Sequence, residues 1–147
     1  MKLSRTVAYA IQATLQLAQS GSQRPVPCSQ LAAEGHMPER FLLQILRHLV
    51  THGILHSTRG VEGGYALERK PDDISLLDVI EAIEGPLIST LPPVDGVTAE
   101  LFQGRLRDAL DDITNNARRQ LADIKLAALM PIAVASPAAA GSTAEAM

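Results

Sequence analysis

A mainly α-helical chain carrying one small β ribbon is what this sequence predicts, on three observations. Apolar residues recur at helical spacing along most of the chain. Two of the helical stretches are separated only by Gly35-His36-Met37, and directly afterwards STRGVEGGYAL reads as a strand, a glycine turn and a returning strand. A helix before such a pair and a ribbon after it make a winged helix-turn-helix, and a long striped helix follows towards the C-terminus.

Ser4 is placed to cap a first helix, whose apolar positions Val7, Ala8, Ile11, Leu15 and Ala18 keep helical spacing until Gly21 stops it. Lys2 and Arg5 stand at its entrance. Residues Gly21 to Pro27, GSQRPVP, form a loop, and Cys28 to Glu34 a short helix closed by Gly35.

The third helix organises the rest. Phe41, Leu42, Ile45, Leu46 and Leu49 form one stripe that must face a core. Pro38 suits the first helical position, Glu39 complements the helix dipole, and Gly53 supplies a left-handed ending. Off the stripe lie Arg40, Leu43, Gln44, Arg47 and, on the flank, His48. Guanidiniums and amides of this kind suit base edges and phosphates.

The ribbon follows as Ile54 to Arg59, a turn Gly60-Val61-Glu62-Gly63-Gly64, and Tyr65-Ala66-Leu67. Gly60, Gly63 and Gly64 permit positive φ and would bring the backbone close to whatever Arg59 touches, a phosphate or a minor groove. An ordinary hairpin with a solvated Arg59 is the alternative.

Beyond the ribbon, Pro71-Asp72-Asp73 is a turn, and Ser75-Leu76-Leu77-Asp78 a capping box with Ile74 and Val79 as its hydrophobic staple. That helix ends at Glu84-Gly85-Pro86. From Glu100 to Met130 one long helix carries a stripe at Phe102, Leu106, Leu110, Ile113, Ala117, Leu121, Ile124 and Ala128. So long a helix in so small a chain needs a partner for that stripe. The expected organisation is therefore a winged domain over 1–85, a linker over 86–99, a helix over 100–130 and a small-residue, disordered tail over 131–147.

Composition narrows the function. Aromatic residues make up only 3% of the chain, without a tryptophan, which argues against stacking platforms for single strands or RNA. No apolar run reaches the ~18 residues of a membrane span, and MKLSRTVAYAIQA lacks the core of a signal peptide, so a cytoplasmic protein is expected. The net charge of -3 hides two unlike parts: residues 1–70 carry +4 and residues 71–147 carry -7. A basic first half is the electrostatic footprint of a nucleic-acid binder.

The sites have plain readings as well as chemical ones. His36, His48, His52 and His56 cluster in sequence, but Gly53 interrupts the helix before His56 and no acid or thiol completes a zinc set, so no metal is expected. Cys28, the single cysteine, stands where a helix dipole favours a thiolate; redox sensing and simple space-filling both remain open. No nucleophile, base and orienter can be assembled, so an enzyme is not expected.

The N-terminal MKLSRTVAYAI, the PVP before the second helix, the FLxxILxxLxxxGIL of the third and the RGxxGGY wing together resemble the Rrf2 family of bacterial transcription regulators. The resemblance covers roughly the first 85 residues closely and the long helix by pattern only. It implies a homodimer held by crossed long helices that binds double-stranded DNA, probed by Arg40, Leu43, Gln44, Arg47 and His48, with Arg59 and Gly60, Gly63 and Gly64 in the wing and Lys2, Ser4 and Arg5 on the backbone. It also implies a repressor. Cluster-binding members carry three closely spaced cysteines in the segment that here reads GPLISTLPPVDGVTAE, so an iron-sulfur cofactor is rejected. Some of those members carry an acidic residue where this chain has Leu43, which suits a thymine methyl instead. The alternative is a winged interaction module that regulates a partner protein; the effector is left unknown.

Overall fold

The computed structural model of the chain describes residues 1–21 and 24–131; the predicted tail over 131–147 lies outside them save for its first residue. Three helices come first: α1 (Arg5–Gln19), α2 (Cys28–Gly35) and α3 (Glu39–Thr51). The ribbon follows as β1 (Leu55–Thr58) and β2 (Gly64–Leu67), antiparallel, with Leu55 opposite Leu67 and Thr58 opposite Gly64. Then come α4 (Leu76–Glu84), α5 (Val97–Asp123) and the short α6 (Leu126–Leu129).

The caps follow local chemistry. Ser4 accepts a hydrogen bond from the Val7 amide at 3.2 Å, and Ser75 and Asp78 form the reciprocal capping box of α4. Gly53 takes φ +74° just past α3, as expected of a C-terminal glycine. Pro38 is the N-cap of α3 rather than its first helical residue, with an extended backbone. At the end of α2 the left-handed residue is His36, at φ 52° and ψ 46°, and not Gly35. Gly35 is held for another reason: a Cβ there would lie 2.7 Å from Gln12 Nε2 and 2.6 Å from Met37 Cε, so α1 and α2 meet across it.

Burial corrects two stripes. In α1 the buried face is Val7, Ala10, Ala13, Thr14, Leu17 and Ala18, whereas Ala8 is exposed and Ile11 and Leu15 are half-buried. Small alanines let neighbouring helices approach, a role that apolar spacing alone underweights. In α3, Leu42, Ile45, Leu46 and Leu49 are buried, but Phe41 is 44% exposed and packs edge-on against Tyr9, ring centroids 6.3 Å apart.

The main core gathers Leu31, the α3 leucines and Ile45, Ile54, Leu55, Ile74, Val79 and Leu126. A second cluster joins Val7 of α1, Leu77 and Ile80 of α4, and Leu121 of α5.

The long helix is where sequence and structure differ most. It begins at Val97 and ends at Asp123, and Ile124 turns extended, at φ -86° and ψ 107°. The chain then pairs with the entrance of α4: the Leu76 amide donates to the Ile124 carbonyl at 2.8 Å and the Leu126 amide to the Ile74 carbonyl at 2.9 Å. Leu126 is thereby wholly buried in the winged core. Helical spacing persists through Ala128, so it cannot reveal the break; burying Leu126, about 1.5–3 kcal/mol, and two closed backbone hydrogen bonds outweigh one more helical turn.

Candidate nucleic-acid interface

Three elements present the expected DNA-facing side chains. On α3, Arg40, Gln44, Arg47 and His48 are exposed and Leu43 is half-buried, opposite the buried stripe. Lys2 and Arg5 are exposed where α1 begins, one turn before Tyr9. Because Tyr9 meets Phe41, the neighbour of Arg40, the opening turns of α1 and α3 lie side by side. Ser4 is exposed too, although its hydroxyl oxygen already serves as the helix cap.

The ribbon is held to this body from two sides. The Ile54 amide donates to the Leu49 carbonyl at 3.0 Å, so β1 leaves α3 through a closed turn. On the other side Val26 pairs with Tyr65, amide to carbonyl in both directions, at 2.8 and 2.9 Å. Val26 is a third, single-residue strand that its place between two prolines concealed. Gly64, at φ +152°, makes that pairing possible, since a Cβ would lie 2.5 Å from the Val26 carbonyl oxygen and 2.7 Å from the Pro27 nitrogen. Gly63 is pressed in the same way against Thr58 and Gly60 inside the turn. These two glycines thus serve the close approach of the chain to itself, which differs from the expected approach to a ligand. Gly60 is exposed, at φ +116°, with open space where a Cβ would stand.

Arg59 falls in the exposed turn just after β1, beside exposed Ser57 and Thr58, two hydroxyls that the sequence reading did not single out. Among the described residues the ion pairs are Arg69 with Asp78 and Arg118 with Glu81, and the His56 ring contacts the Glu68 carboxylate at 2.9 Å. None of Lys2, Arg5, Arg40, Arg47 and Arg59 is in one. Five cations are left for an external anion, with Glu39 and Glu62 as the nearby acids in sequence.

Cys28 does not have the expected electrostatics. Burial first, and the nearby Glu39 carboxylate second, push its thiol above the ordinary value, and the S–H donates to the Glu39 carbonyl across 3.7 Å. Both effects work against the thiolate that the start of α2 would otherwise favour.

The expected pairing stripe divides into two. Phe102, Leu106 and Ile113 are exposed, at 46%, 39% and 64%, and Leu110 and Ala117 are half-buried. Leu121 is instead buried on its own chain, and Ile124 lies beyond the end of the helix. Packing back on the same chain therefore accounts for Leu121, while Ile124 stays 37% exposed.

Comparison with known proteins bears on this geometry directly. The Rrf2 family model, described as an iron-dependent transcriptional regulator, matches residues 3–131. The chain belongs to the Rrf2 family. Its relatives include a protein of Mycobacterium tuberculosis named as an HTH-type transcriptional regulator, 36% identical over 126 residues and 78% of each chain. The HTH-type transcriptional regulator CymR of Bacillus subtilis is 30% identical over 118 residues, 79% of this chain and 85% of that one. Among solved structures, that of CymR, titled the global cysteine regulator of B. subtilis, has a TM-score of 0.63 at 28% identity, covering 88% of this chain and 95% of the other. The structure of T. potens IscR has a TM-score of 0.64 at 29% identity, covering 88% and 85%. This member of the Rrf2 family is thus a DNA-binding transcriptional regulator with a winged helix-turn-helix, in a family of regulators rather than enzymes.

The family description names iron, and the donor set here does not fit it. Cys28 is the single thiol, at the start of α2, and residues 85–100 contain no cysteine or histidine. Among the described residues no three His, Cys, Asp or Glu side chains converge as metal ligands would. No helix among them is long and apolar enough to cross a membrane.

Proposed function

We propose that this Rrf2-family chain is a cytoplasmic, homodimeric repressor that reads its operator without an iron-sulfur cluster and without any catalytic step. The reading rests above all on the five cations at the start of α1, on α3 and in the ribbon, none of which is in an ion pair. Residues 1–85 do the reading: α3 enters the major groove, with Arg40, Gln44 and Arg47 at base edges or their phosphates and Leu43 against a thymine methyl. His48 lies on the flank, near the backbone. Arg59 reaches into the minor groove from the wing, while Lys2, Ser4, Arg5 and the Ser57 and Thr58 hydroxyls hold phosphates. The exposed Phe102, Leu106 and Ile113 of α5, with Leu110 and Ala117 beside them, meet the same helix of a second copy.

The test is fluorescence anisotropy on a duplex selected from a random pool by the protein, and on its scrambled counterpart, across a salt series. Arg59→Ala should weaken the selected duplex by about 1–3 kcal/mol and reduce its preference for narrow-groove flanks. Arg5→Ala should weaken every duplex alike and flatten the salt slope by about one. An Arg59→Ala variant that binds as tightly as the parent would show that the ribbon reads nothing.

A further inference from the structure

Two things fasten the C-terminal end of α5 to α4: the backbone pairing of Ile124 and Leu126 with Leu76 and Ile74, just past the helix, and one side chain within it. Leu121 packs α5 against Val7, Leu77 and Ile80, a contact that apolar surfaces keep while sliding past one another. Arg118, one turn earlier, is directional. Its Nη1 donates to Glu81 Oε2 at 2.5 Å and its Nη2 to Glu81 Oε1 at 3.2 Å, a two-pronged pair with α4. The same Nη1 donates to the Leu87 carbonyl at 3.2 Å, and the Leu87 amide donates to Glu81 Oε2 at 2.8 Å. One guanidinium therefore joins α5, α4 and the first turn of the loop between them. Both partners are mostly shielded, the Arg118 side chain being 34% and the Glu81 side chain 24% exposed.

The angle at this joint has a consequence for operator reading. In a dimer paired through α5, the direction in which each α3 points relative to its twin is set where α5 meets α4. We propose that Arg118 is a positioning residue which, through Glu81 and Leu87, fixes that angle and so determines the half-site spacing the protein accepts. The inference rests on the homodimer reading above. Inserting one base pair between half-sites moves them apart by about 3.4 Å and turns one against the other by about 34–36°, since about 10–10.5 pairs make a turn. To follow, the joint must swing about the backbone pairing at Ile124, and with Arg118 in place the swing breaks charge-assisted hydrogen bonds a few residues before that pivot.

The experiment uses the full chain and the duplex it selects from a random pool, remade with one pair added or removed between half-sites, alongside a duplex holding a single half-site. The parent should prefer the selected spacing by about tenfold or more, a cost comparable to that of a mismatched base pair. Arg118→Met and Glu81→Gln should reduce that preference to about threefold or less, with single half-site affinity and dimer mass unchanged. The exchange Glu81→Arg with Arg118→Glu should restore it. Simple loss of stability would weaken all duplexes together and leave the preference intact. A folded Arg118→Met protein with the parent's preference overturns the proposal; if that variant does not fold, the same result for the milder Glu81→Gln overturns it. Should the parent itself select one isolated half-site and bind it as a monomer, the dimer reading fails and the spacing role with it. A parent that discriminates spacing beside variants that do so equally removes the role of Arg118 alone.

Discussion

Gly64 and His36 are two residues at which backbone chemistry decides more than side-chain chemistry. A side chain at Gly64 meets the Val26 and Pro27 backbone, which cannot swing aside, and the φ of +152° is strained for any L residue. Gly64→Ala should therefore lower stability by about 2–4 kcal/mol, read as a shift in the urea midpoint, and detach the ribbon from Val26. His36 presents the opposite case. It is a left-handed, exposed, non-glycine residue, which costs about 1–2 kcal/mol, so His36→Gly should raise stability by about 0.5–1 kcal/mol after the greater freedom of glycine in the unfolded chain is subtracted. An unchanged or lower midpoint would mean that the imidazole has a compensating contact. The glycine turn was legible in the sequence as RGVEGG, and so was its place after β1. Its reason was not, because the residue that presses on Gly64 lies nearly forty positions earlier and no local pattern announces Val26 as a strand. Cys28 shows the same limit: burial first, and then Glu39 arriving from the next helix, raise a thiol that position alone would have lowered.

At the scale of elements, α5 is, among the described residues, the one helix with a large apolar face still open to solvent. Ile113 and Leu106 are 64% and 39% exposed, so charging them leaves the monomer's own core untouched. Leu106→Asp with Ile113→Asp would place two unpaired carboxylates in the proposed seam, at several kcal/mol in all, and light scattering should then give the mass of a monomer. A dimer mass retained by that double variant would move the interface elsewhere. Leu121 is unsuited to this test, since its replacement would also unpack Val7, Leu77 and Ile80. The order of helices, the capping box and most of the α3 stripe were legible because each rests on residues three or four apart. The end of α5 at Asp123 was not, because the pairing that ends it is with Ile74–Leu76, some fifty positions away.

Across the whole molecule, the contact between Glu81 and Arg118 makes stability depend on pH in a particular direction. Burial opposes the charge on Glu81, but the Arg118 guanidinium and the Leu87 amide outweigh it and hold the carboxyl below its ordinary value of 4.5. A carboxyl lowered in the folded state contributes stability that is fully present above 4.5 and is lost as pH falls through the lower, folded value. The urea midpoints of the parent and of Glu81→Gln should therefore differ near neutral pH and converge in acid below that range. A gap that persists or widens there would contradict the pairing. The return of the chain through Ile124 to Leu126 has another meaning when considered in time rather than in space. Leu126 fills the core beside residues that a ribosome releases well before it, and closing a loop of about fifty residues adds only a logarithmic entropy cost but delays the contact. During synthesis the first eighty-five residues must wait with an unfilled hollow under Ile74 and Val79, so the reading head and its long helix mature as one event, and a fragment stopped at Gly85 should be a poorer folder than its compact sequence pattern suggests.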